Sequence, residues 1–232
     1  MSLNYILAIA QSISINDHRF VGQVFSRNQM VTTGEIQTRI PFQFTFKPHD
    51  YLLYSQNRSL LQNLRAADRS YEQVLNFGST GWVNYIKYQG DMTSAQITSA
   101  TISGASGSSF VTISSLPSIS SSAYIVKKGD FIQYGRSVYI VTADVLRGGS
   151  ASVSVPIHRP IASDTYTGTA IPLVVGEYGI TRYIGAGVDY AQYTGVSFPV
   201  LLKEYPTYAL MPMTNDSFIQ WNGSFTAIEN CI

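Results

Sequence analysis

Alternation of apolar and polar residues with a period of two runs through much of the chain, the pattern of half-buried strands. Pro41-Phe42-Gln43-Phe44-Thr45-Phe46-Lys47 sets three phenylalanines on one face and polar groups on the other. Phe131–Tyr134 and Ser137–Val141 predict two strands joined by a tight Gly135-Arg136 turn. Ala151–Ile157 alternates as well, and so does Ser217–Trp221, which leads into Ser224–Ile228. Lys128-Gly129-Asp130 and Gly148-Gly149 are turn signals between strands. The opening MSLNYILAIAQSISIND carries a short apolar run with no basic n-region and no small-residue cleavage pattern. It is read as mature protein and as a first strand.

A different period marks one stretch. Leu53, Leu60, Leu61 and Leu64 fall on one side of a 3.6-residue helix predicted over Tyr51–Asp68, with Asp50 as its cap and Pro48 just ahead. One amphipathic helix in a β-rich chain is expected to cover a sheet face.

The run from Met92 to Ser122 is dominated by Ser, Thr and Ala. A flexible linker is one reading. Ile97, Ile102, Phe110, Val111 and Ile113 favour thin strands of a small β-module that continues through Tyr124–Arg159. The organisation expected is a discontinuous β-domain, 1–91 and 168–232, into which 92–167 is inserted as a small barrel-like β-domain; insertions succeed at exposed loop tips.

Composition sharpens this. Of 232 residues, 12% are charged, about half the usual share of roughly 25%. The formal net charge is +1. A soluble monomer normally covers itself with charge, so this chain builds its exterior from Ser, Thr, Asn, Gln and Tyr or presses it against partners. The near-neutral balance, with no Lys/Arg cluster, argues against binding of nucleic acid through phosphate neutralisation. No stretch approaches the roughly 18 consecutive apolar residues of a membrane helix, so no membrane insertion is expected. One cysteine, Cys231, supports neither an intrachain disulfide nor a thiolate zinc site.

Catalytic motifs are missing. The sequence holds no Gly-x-Ser-x-Gly elbow, no His-Glu-x-x-His, no phosphate loop and no dinucleotide fingerprint. His18, His49 and His158 lie in unrelated contexts and are expected at the surface or in turns. The acids are isolated and are expected to cap and turn the chain, and no pair is nominated for glycoside hydrolysis. No catalytic residue, metal ligand or cofactor is therefore nominated, and no enzyme is expected. Asn57-Arg58-Ser59, Asn215-Asp216-Ser217 and Asn222-Gly223-Ser224 match the glycosylation triplet but are discounted without a secretory signal. Tyrosine is the enriched functional group, with Tyr183, Tyr190, Tyr193, Tyr205 and Tyr208 crowding the last third. Its rigid ring and polar tip suit protein interfaces and sugar stacking. Tyr183, Tyr190, Tyr193 and Trp221 are the interface candidates.

The segment KKGDFIQYGRSVYIVTADVLRGGSASVSVPIHRPI resembles a signature of tailed-bacteriophage tail-tip proteins: a Gly-Asp turn, a strand, a second strand reading VYIVTADV, then an alternating strand ending in Pro and Arg. EYPTYALMPMTNDSFIQWNGSFTAIE looks like the closing strands of the accompanying domain. The resemblance implies a structural protein of the tail or baseplate of a contractile-tailed phage, akin to distal tail or hub proteins. It implies a tail-tube-like β-barrel or sandwich with one helix and an inserted β-domain. It further implies a homo-oligomer, a hexameric ring, in contact with tail tube, hub, fibre and baseplate proteins, with DNA only passing through the channel. The protein would then reside in the virion after assembly in the host cytoplasm. A carbohydrate- or receptor-binding module at the tail tip, using the Ser-rich 92–167 segment and the tyrosines, is the alternative.

Overall fold

Phe42, Phe44 and Phe46 are fully buried on one face of the strand Phe42–Pro48, as their alternation requires. This strand is the second of a five-stranded antiparallel sheet, in the order Ala10–Asp17, Phe42–Pro48, Phe225–Glu229, Ser197–Glu204, Gln73–Asn76. The sheet curls into a half-barrel, and the fold is mainly β. In this computed structural model the described residues are 3–17, 21–25, 31–35, 40–49, 52–66, 71–78, 80–163, 166–176, 184–185, 188–189 and 195–230.

Inside the curl the rings lock edge to face. Phe198 meets Phe42, Phe44 and Phe77 at centroid distances of 5.5, 4.9 and 5.8 Å and steep interplanar angles, the arrangement that ring quadrupoles favour. Helix α1, Leu3–Ala8, closes one side with Leu3, Ile6 and Leu7 fully buried. The expectation of a strand from the first residues therefore needs correction: Leu3, Ile6 and Leu7 follow helical spacing, and the strand begins at Ala10. Helix α2, Tyr54–Ala66, buries Leu60, Leu61 and Leu64. Leu53, expected on the same stripe, lies instead in the short strand Leu52–Leu53, paired to Phe218. The expected cap, Asp50, lies outside the described residues.

The stretch between 88 and 175 has its own buried cluster, with Tyr88, Ile102, Ile113, Ile125, Tyr134, Tyr139, Val155 and Val175 among its members. The Ser-rich run is structured. Helix α3, Ser94–Ser99, starts with a reciprocal cap between Thr93 and Gln96, and strands Thr101–Ser103 and Phe110–Ser114 follow. Hence α2 is one of three α-helices among the described residues. The hairpin Phe131–Tyr134/Ser137–Ile140 forms as predicted, in full register. The Lys-Gly-Asp turn forms too, with Gly129 at φ 94 and the Asp130 amide donating to the Lys127 carbonyl.

Phe131, Val138 and Val174 of this stretch pack into the sheet's own core, and polar ties reinforce the join. The Gln133 side-chain oxygen accepts from the Ser197 amide at 3.0 Å. Arg136 pairs with Glu72, which also accepts from the Asn230 side chain at 2.6 Å. Arg159 and Glu229 form an ion pair at 2.7 Å, described below.

Candidate assembly surface

The strand Thr207–Met213 is uncharged, yet most of it faces out. It pairs on one side with Asp216–Asn222, which in turn pairs with Leu52–Leu53, so Thr207–Met213 is the edge of a three-stranded sheet. Leu210, Met211 and Met213 are 43%, 52% and 46% exposed. Asn215 at φ 77 turns the hairpin, a conformation that asparagine tolerates better than most residues. The hairpin is fixed to α2 by Asp216, whose carboxylate accepts from the Ser55 amide at 3.2 Å and the Ser55 hydroxyl at 2.5 Å. These bonds hold the Asp216 carboxyl below its ordinary range, led by the Ser55 hydroxyl.

Edge strands of soluble proteins are normally blunted by charge, shortness or bulges, because an open row of N–H and C=O groups templates further pairing. This one runs seven residues with no charge. Pro212 is its one blunting feature, and it removes a single donor. At its base lies a groove of about 460 Å³ lined by Arg65, Tyr205, Pro206, Thr207, Tyr208 and Leu210.

Trp221, expected at a subunit contact, is a core residue. Alternation along Asp216–Asn222 puts it on the inner face with Ile219, while Gln220 and Asn222 face out. It is 4% exposed and packs edge-on against Tyr208 at 5.5 Å and Phe225 at 5.2 Å. Its indole nitrogen is buried with no hydrogen-bond partner among the described residues. Tyr183, Tyr190 and Tyr193 lie outside the described residues. Tyr205 and Tyr208 line the groove. Sequence reasoning missed Leu210, Met211 and Met213. The signal was the uncharged run TYALMPM; alternation sets Leu210 on one face and Met211 and Met213 on the other, and the structure leaves all three exposed.

Two further described hairpins pair only within themselves: Val21–Phe25 with Val31–Glu35, and Ile184–Gly185 with Val188–Asp189. Two-stranded hairpins without further partners are marginal in water.

Between the sheet and the second cluster the Arg159–Glu229 pair draws four segments together. Arg159 donates to the Ile40 carbonyl at 2.5 Å, the Val138 carbonyl at 2.8 Å and Glu229 at 2.7 Å. Its guanidinium lies over the Phe42 and Tyr139 rings at 5.3 and 5.2 Å. Glu229 also accepts from the amides of Phe42 at 3.2 Å and Val138 at 3.4 Å. Both side chains are almost wholly buried, and together they satisfy the condition under which a buried pair is tolerated. Glu229 is thus no turn or cap residue, in contrast to the expectation for the acids. His158 lies half-buried in a bend: its Nδ1 accepts from the Ile140 amide at 3.0 Å and its ring packs 5.3 Å from Phe42. His49 is exposed, and His18 lies outside the described residues.

Other acids do cap and turn. Asp130 accepts from the amides of Gln89 and Lys127 at 2.9 and 2.8 Å. Burial lifts its carboxyl above the ordinary range, against the pull of those two amides. Asp91 and Asp144 accept from the amides of Tyr124 and Lys128. Asn57, in one glycosylation triplet, is 5% exposed with its Nδ2 donating to the Leu53 carbonyl at 2.9 Å, which withholds it from modification.

Among the described residues no group of three His, Cys, Asp or Glu side chains is placed to hold a metal ion, and no helix is long and apolar enough to cross a membrane. No protein-family model matches the chain, and no curated protein matches it either.

Proposed function

We propose that this chain is a virion structural protein of a phage tail or baseplate, assembling into a ring around the tail channel and linking tube to hub or fibres. The observation that carries the reading is the uncharged, outward edge strand Thr207–Met213. A chain with 12% charged residues and such an edge gains by covering it with another copy, and head-to-tail contacts between copies close into rings. The strand pairs 21–25 with 31–35 and 184–185 with 188–189 offer further edges for the same purpose. The tail-tip resemblance supplies the setting. In this reading residues 92–167 are a small β-domain inserted into a discontinuous tail-tube-like domain. The separate buried cluster between 88 and 175 supports that division. The role is architectural and asks for no catalysis or cofactor.

The test is sedimentation of the purified chain together with labelling of virions. Closed oligomers in solution and the protein in tails are expected. Combined Leu210→Ser, Met211→Lys and Met213→Ser replacements should reduce assembly while leaving the circular-dichroism spectrum unchanged. A strictly monomeric chain at high concentration, missing from particles, would overturn the proposal.

A further inference from the structure

A second cleft, of about 370 Å³, lies between α1 and α2 and is lined by Tyr5, Gln56, Asn57, Ser59, Leu60 and Asn63. Its volume falls in the range of roughly 300–1,000 Å³ typical of small-molecule sites. Its described lining is three carboxamides, a hydroxyl, a phenol ring and Leu60, with no carboxylate, ammonium or guanidinium among the described residues. Asn57 is 5% exposed, so the little surface it shows is cleft wall. Its Nδ2 is anchored on the Leu53 carbonyl at 2.9 Å. That bond fixes the amide plane and leaves Oδ1 as an acceptor already oriented. Tyr5 is 38% exposed and its phenol lines the same cleft.

We propose that this cleft binds a neutral saccharide. A carboxamide presents a donor and an acceptor in one plane, which matches two neighbouring hydroxyls of a sugar. The phenol ring covers the apolar C–H face of a pyranose, and buried aromatic area of this kind is a main source of contact energy. The uncharged lining gives an acidic or amino sugar no counter-ion, so removing its charge from water goes uncompensated. Both walls are helical, α1 and the first turns of α2. An extended peptide would find no strand edge to pair with here, so recognition falls to side chains. The inference does not rest on the tail reading and stands or falls without it.

The experiment uses the whole chain, labelled with nitrogen-15, titrated with glucose, galactose and N-acetylglucosamine. Glucuronic acid, glucosamine and glycerol are the controls. Saturable shifts of the Gln56, Asn57 and Asn63 side-chain amides are expected with at least one neutral sugar. Tyr5→Ala and Gln56→Ala, both on exposed side chains, should each weaken that binding at least about tenfold. Arg65→Ala, in the other groove, should leave it unchanged. No saturable shift with any neutral sugar would overturn the proposal. So would equal binding of the charged sugars, the same shifts with glycerol, or full binding in both the Tyr5 and Gln56 variants with the fold intact by circular dichroism.

Discussion

Arg159 and Glu229 carry opposite charges where almost no water reaches them, so each is tolerable only in the presence of the other. Removing one partner of such a pair costs about 3–5 kcal/mol, whereas an apolar pair of similar volume is often neutral. Arg159→Met and Glu229→Leu should therefore each lower stability by about that amount in urea unfolding. The double variant Arg159→Met/Glu229→Leu should lose clearly less than the sum of its parts. Additive losses would show that the two charges do not depend on each other. A second residue-scale effect is set by burial. Tyr88, whose hydroxyl donates to the Ile125 carbonyl, and Tyr139 both have phenols raised above the usual tyrosine range, chiefly by desolvation. A raised folded-state value means stability that is whole below the unfolded phenol range, near about 10, and drains away as pH rises past it. Urea midpoints should fall above that pH, and Tyr88→Phe should flatten the slope. A wild-type slope unchanged by the substitution would rule Tyr88 out as its source.

At the scale of elements, periodicity was informative wherever one face was buried against nearby chain. Phe42, Phe44 and Phe46 announced their strand, and Leu60, Leu61 and Leu64 their helix. Leu61→Ala should cost about 2–5 kcal/mol in chemical unfolding, since Leu61 is 2% exposed in the core; a loss under about 1 kcal/mol would mean that the site collapses around the gap. Periodicity was ambiguous in short runs. Leu3, Ile6 and Leu7 sit in an apolar stretch that fits strand or helix equally, and tertiary packing against the sheet decides. Thr93 and Gln96 did spell a capping box, hidden in the Ser-rich run. The edge strand Thr207–Met213 was the least legible element. TYALMPM shows apolar residues but not which of them Ile219 and Trp221 leave uncovered. The Arg159–Glu229 pair joins positions 70 residues apart, and nothing local in either neighbourhood points to the other. Gly176 was equally silent. A Cβ there would stand 2.2 Å from the Ile86 carbonyl oxygen at a φ of +26, so the chain passes at a distance only glycine allows. Gly176→Ala should lower the melting temperature by several degrees, a shift of the size that about 1 kcal/mol produces. An unaltered melting curve would show that the neighbouring backbone yields.

For the molecule as a whole, two buried clusters are joined by polar links and by Phe131, Val138 and Val174, which pack into the sheet's core, and a chain short of charge carries an open, apolar edge. Association through such an edge would rest on main-chain pairing and apolar burial rather than on ion pairs. Raising salt well beyond physiological strength should then leave oligomers intact or strengthen them, because screening acts on charges and has little to act on here. Sedimentation across a salt series checks this, and dissociation at high salt would assign the contact to charged residues elsewhere on the surface. Trp221 gives the same question an optical handle. The chain contains two tryptophans, Trp82 and Trp221, and the second sits dry at the foot of the open hairpin with Tyr205 and Tyr208 beside it. With Trp82 replaced by Phe, the remaining indole becomes a lone emitter whose colour and lifetime follow the hairpin, so docking of a neighbour could be watched in real time without attaching a dye.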